Sequence, residues 1–192
     1  MPILSFRAVP LAAAVVALTL MVPRSSHAQA TGGDELSRLK TAYLADYAEM
    51  EKKFLGLAEA FPADKYGWRP MDGVRSVSQV FALIAGESYS SLTKGFGGTQ
   101  PAGIPTGEAG LAQLEKMMAT KAEAVRHLKA AFALARTTIT NWKGDPAKPM
   151  KFWGVERPLA GVFTMVAGDQ HEHLGQLIAY ARMNRIVPPW SR

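Results

Sequence analysis

Three stretches dense in proline and glycine set the limits on how this chain can fold. They are "FPADKYGWRPMDGVRS" (61–76), "GFGGTQPAGIPTG" (95–107) and "NWKGDPAKPMKFWGVERP" (141–158). Proline removes a backbone donor and glycine is costly inside a helix, so neither composition continues one. Between them the apolar residues recur every three or four positions, the spacing of one helix face. Leu36, Leu39, Tyr43, Tyr47, Met50, Phe54 and Leu57 form the clearest such stripe. The pattern predicts helices over 34–60, with Asp34 as its cap, over 76–94, begun by a Ser76 cap, over 108–140, and over 158–184, opened by Pro158. No strand pattern and no internal repeat is evident. The expectation is an all-α four-helix bundle occupying 31–192.

Ahead of it stands "MPILSFRAVPLAAAVVALTLMVPRSSHAQA". Arg7 supplies a positive start, 8–23 is an apolar run short for a membrane span, and small residues precede Ala28 and Ala30. This reads as a signal peptide over 1–30, cut after Ala28 or Ala30, and places the protein in the periplasm or outside the cell. No cysteine follows that could carry a lipid anchor. Cysteine is absent from the whole chain, which excludes disulfides, thiolate metal sites and a thiol nucleophile. The formal net charge is +6, but Arg7 and Arg24 lie in the leader and Lys52-Lys53 is the one adjacent basic pair in the rest. Nucleic acid is not an expected partner, nor is a membrane once the leader is cut.

The chemistry-bearing segment is "GDQHEHLGQ" (168–176). At about 100° per residue, His171 and His173 point about 160° apart and cannot share an ion on a regular helix. Asp169 and His173, one turn apart, share a face with Val162, Val166, Gln170, Gln176, Leu177 and Tyr180. Thr164, Gly168, His171, Gly175 and Arg182 form the opposite, outer face, a small-residue surface on which a second copy could pack as a homodimer. Polar groups set in an apolar stripe need partners. Asp169 and His173 are either a hydrogen-bonded pair or two ligands of a metal, with the third ligand on another helix.

"DQHEHLGQLIAYARMNRIVPPW" and "FPADKYGWRPMDGVRSVSQVFALIAGESY" together resemble the last helix and the helix 1–2 junction of DinB-like proteins. The resemblance spans 34–190. It implies a four-helix bundle with a cleft at one end. In many members it also implies a divalent-metal site of three histidines, one from the second helix and an HxxxH pair from the last. Some members are metal-dependent thiol S-transferases or hydrolases. His173 matches the last of these ligands, Asp169 stands at the first position of HxxxH, and Leu83 stands where the second-helix histidine is expected. Glu87, one turn beyond Leu83, is the residue able to replace it, although Val77, Phe81, Ile84 and Leu92 mark the other side of that helix as core and leave Glu87 on a wet face. The expected site is Glu87, Asp169 and His173, holding one Zn, Ni, Mn or Fe ion and serving a hydrolase or transferase. The alternative is a bundle that binds a small molecule or pairs with itself without catalysis. His127, between Arg126 and Lys129, is expected at the surface. The tryptophans 68, 142, 153 and 190 all fall in joints or the tail.

Overall fold

The computed structural model describes residues 32–105 and 107–191, so the signal peptide expected over 1–30 lies outside the described residues. Helix α1 spans Gly32–Ala60. Asp34 lies inside its first described turn and not ahead of it. Helix α2 starts as Val77–Gly86, widens into a π-helical segment Glu87–Leu92 and closes with one α turn, Thr93–Gly95. Its start is a full capping box: the Ser76 side chain accepts from the Gln79 amide, and the Gln79 side chain accepts from the Ser76 amide.

The long third helix read from the pattern is two helices, α3 (Gly107–Met117) and α4 (Lys121–Asn141). Neither proline nor glycine makes the break. Thr120 adopts an extended backbone and caps α4, accepting from the Glu123 amide at 3.3 Å. Lys121 ties that start to the end of α1 by donating to the carbonyls of Glu59 and Phe61. Thr-x-x-Glu is a helix-start signal, and it outweighs the continuous periodicity. Helix α5 spans Leu159–Met183, with Pro158 just before it in the cap position.

A short antiparallel hairpin also departs from the strand-free expectation. Strands β1 (Met150–Phe152) and β2 (Val155–Arg157) pair Met150 with Arg157 and Phe152 with Val155. Three-residue strands are too short to display an alternation. Gly95 admits the hairpin: a Cβ there would run into the Phe152 ring.

Helix α1 packs on α4 and α5, while α2 packs on α3, α4 and α5. One apolar core results. Tyr47, Met50, Phe54 and Leu57 of α1 are fully buried, as are Phe81 and Ile84 of α2, Phe132 and Ile139 of α4, and Val162 and Leu177 of α5. Each such side chain contributes about 2 kcal/mol by leaving water. Tyr43 and Phe163 stack with ring centroids 4.0 Å apart, joining α1 to α5. Among the described residues no helix is long and apolar enough to cross a membrane.

Candidate metal centre

Helix α5 presents the two faces its spacing predicts. Val162, Val166, Gln170, Leu177 and Tyr180 are buried, whereas Thr164, Gly168, His171, Glu172, Gly175 and Arg182 are exposed. His171 is not near the other donors. Its Nε2 lies 3.0 Å from Asp46 Oδ1 on α1, in an exposed pair.

His173 is held by a relay. Its Nδ1 is 3.0 Å from Gln176 Oε1, Gln176 Nε2 donates to the Tyr180 hydroxyl at 2.9 Å, and Tyr180 donates to the Arg75 carbonyl at 3.0 Å. Trp68 packs edge-on against the Tyr180 ring and supports it. A carbonyl only accepts, so the relay runs in one direction. Tyr180 spends its proton on Arg75, Gln176 gives an N–H to the Tyr180 oxygen, and Gln176 Oε1 is left to accept from His173 Nδ1–H. The neutral imidazole therefore keeps its lone pair on Nε2. That nitrogen is 3.8 Å from Asp169 Oδ2, beyond hydrogen-bond range. The hydrogen-bonded Asp169–His173 pair is thus not formed. Gln176, not Asp169, orients the ring.

Glu87 corrects the wet-face expectation. It is 9% exposed, because α3 lies across this side of α2 with Leu114 and Leu111 against Gly86. It opens the π-helical segment, where the wider turn displaces side chains from the regular α register. Glu87, Asp169 and His173 each bring a donor atom into one group in which all three lie within 4.8 Å of one another. Glu87 Oε2 and Asp169 Oδ2 are buried without a hydrogen-bond partner. Burial first, then the Asp169 carboxylate beside it, hold the Glu87 carboxyl well above the usual carboxylate range, against a weaker pull from Arg75. Two crowded carboxyls of this kind either share a proton or take up a cation. Beside them, the Tyr43 hydroxyl is buried without a partner, and its pKa is raised by burial, then by Tyr47, Glu87 and Asp46.

Two carboxylates and an imidazole nitrogen with a free lone pair suit a small divalent cation of the Zn, Mn, Fe or Ni type. Metal-bound histidines ordinarily donate their other N–H to a fixed acceptor, and Gln176 stands where that acceptor would be. The orphaned carboxylate oxygens and the preset tautomer are what such a group would satisfy.

The family profile described as the DinB superfamily matches residues 46–177, more than half of the sequence. The chain belongs to the DinB superfamily. The matched region contains Glu87, Asp169 and His173. No curated protein matches the chain. In this DinB-superfamily protein Leu83, one turn before Glu87, lines a cavity beside the acid cluster.

His127 is a second correction. It is 2% exposed, not at the surface. Its Nδ1 faces the Tyr89 hydroxyl at 3.3 Å and its Nε2 the Arg126 guanidinium at 2.8 Å, with Glu123 Oε2 3.7 Å away. Burial and Arg126 lower its pKa, and Glu123 opposes them. The charged neighbours in sequence lie outside, but the imidazole turns inward beneath Tyr89. Of the groups that build the candidate metal centre, Gln176 and Tyr180 are readable as i+3 and i+7 neighbours of His173. Arg75, which contributes a backbone carbonyl, has no side-chain signal at all.

Proposed function

We propose that this DinB-superfamily protein is an exported four-helix-bundle metalloprotein, with α1, α2, α4 and α5 as the bundle. Glu87, Asp169 and His173 hold one divalent cation, and the protein serves hydrolysis or group transfer. The observation that carries this reading is the convergence of three donors from two helices: two orphaned carboxylate oxygens and the Nε2 of a histidine whose tautomer is already set. When bound, such an ion supplies Lewis acidity to a substrate oxygen. The chain's own part is to orient His173 through Gln176, to keep the Glu87 side dry beneath α3, and to offer the partnerless Tyr43 hydroxyl. The N-terminal sequence supports export. A second reading, a small-ligand-binding bundle without catalysis, draws on the cavity of about 310 Å³ whose lining includes Glu87.

Elemental analysis of the natively purified protein tests the proposal. About one divalent ion per chain is expected, with loss of that ion in Glu87→Ala, Asp169→Ala and His173→Ala alike. A protein free of divalent metal, or one whose metal survives all three substitutions, would overturn it.

A further inference from the structure

Two adjoining cavities, of about 310 and 280 Å³, share Ser90, Ser91 and Trp153 and so form one cleft. Its floor is α2, which lines it with Leu83, Glu87, Ser90, Ser91 and Lys94. The two ends differ in charge. At the first stand Glu87 and the apolar side chains of Leu83, Leu111 and Leu114. At the second stand Lys94 and Lys151, one from α2 and one from β1. Neither lysine makes an ion pair or a hydrogen bond among the described residues. Glu87 and Lys94 lie seven positions apart, at the start of the π-helical segment and just beyond its end.

Trp153 forms the rim where the cavities meet. It and Gly154 are the two central residues of the hairpin turn, both at positive φ, +46° and +80°. That is the pattern of a turn that favours Asn-Gly, and a bulky residue in its first central position is strained. The strain is held by a hydrogen bond from Trp153 Nε1 to Ser91 Oγ at 3.0 Å. Trp153 is nonetheless 41% exposed, so burial does not explain its presence. A strained aromatic kept half in water at the mouth of a cleft is what a ligand wall requires.

We propose that this cleft binds a small anionic amphiphile. Its apolar body lies along Leu83, Leu111 and Trp153, its carboxylate or phosphate end lies between Lys94 and Lys151, and its opposite end is directed at Glu87. The lysine pair sets the orientation, because Lys94 and Lys151 are the cationic groups among the residues that line the two cavities. This deepens the metal-centre reading by naming the substrate class, and rests on that reading only for the placement of the reacting end.

The test is calorimetric titration of the chelator-treated protein with octanoate, 1-octanol and acetate. Octanoate is expected to bind at least tenfold more tightly than 1-octanol, and acetate not to bind. The double variant Lys94→Ala/Lys151→Ala should bind octanoate and 1-octanol alike, while Lys94→Arg/Lys151→Arg keeps the preference. Trp153→Asn should leave thermal stability unchanged or raised, yet weaken octanoate binding several-fold. Equal binding of octanoate and 1-octanol, absence of octanoate binding, or a preference that survives loss of both lysines would overturn the proposal. Failure of the metal reading looks different: a protein without metal that still prefers octanoate keeps the cleft and loses the centre.

Discussion

Helices α4 and α5 each carry an acid four residues before a histidine, Glu123/His127 and Asp169/His173, and the two pairs fold into opposite environments. On α4 the acid stays outside with Arg126, and the histidine closes beneath Tyr89 with both ring nitrogens near a polar partner. On α5 both members face inward, Gln176 takes one ring nitrogen, and the other is left facing two carboxyls. The spacing is identical, so spacing does not make a site. What differs is the residue that the facing helix presents. A tyrosine from the π-helical segment covers His127, and a glutamate from the start of the same segment approaches His173.

The largest expected contrast comes from removing each imidazole. His173→Ala should abolish metal retention while costing little stability in the metal-free protein. His127→Ala should leave metal content unchanged and lower unfolding free energy by about 2 to 3 kcal/mol, through the cavity it leaves and the lost partner of Tyr89. Elemental analysis and urea unfolding on the same preparations separate these outcomes. Next in size is Gln176→Leu, which frees the His173 tautomer without touching a donor. A loss of about 10- to 100-fold in metal affinity is expected by competition titration. Unchanged affinity would mean the relay does not preset the ring.

The two sites should also tilt the pH dependence of stability in opposite directions. His127 has a folded pKa below its ordinary 6.5. Its contribution is therefore complete above that pH and is lost as pH falls toward the folded value, because the unfolded chain binds the proton first. Glu87 has a folded pKa above its ordinary 4.5. Its contribution is complete below 4.5 and is lost as pH rises through the folded value. In chelator-treated protein, His127→Gln should flatten the acid limb. Glu87→Gln should flatten the neutral limb and raise stability there by about 1 to 2 kcal/mol, since a buried charge is removed. Denaturant midpoints between pH 4.5 and 8 check both signs. The smallest effect belongs to the third histidine–acid pair, His171 with Asp46, which is exposed. Asp46→Ala should change stability by no more than about 0.5 kcal/mol and leave metal content unchanged. A larger loss would show that outer-face charge matters more than exposure suggests.

Much of the frame was legible beforehand because it is set locally. The Ser76 cap, the helix-ending joints and the two faces of α5 follow from backbone chemistry within a few residues and from a fixed turn of about 100° per residue. The split between α3 and α4 and the hairpin were also locally encoded, in Thr120-x-x-Glu123 and in the Trp153-Gly154 turn, but a continuous apolar pattern and very short strands masked them. The likeness of the two segments 61–89 and 169–190 to DinB-like proteins pointed to the family that the match over 46–177 establishes.

By itself, then, the sequence determined that the chain is helical, where most helices begin, and which residues of α5 share a face with His173. Tertiary structure alone decided which of those faces meet. Glu87 reads as a wet residue until α3 covers it, His127 reads as a surface residue until Tyr89 closes over it, and the carbonyl that ends the His173 relay has no side-chain signature. Periodicity fixes the angular position of a side chain on its own helix. Burial, tautomer and donor convergence depend on the neighbour across the interface, and that neighbour is chosen by the packing of the whole core.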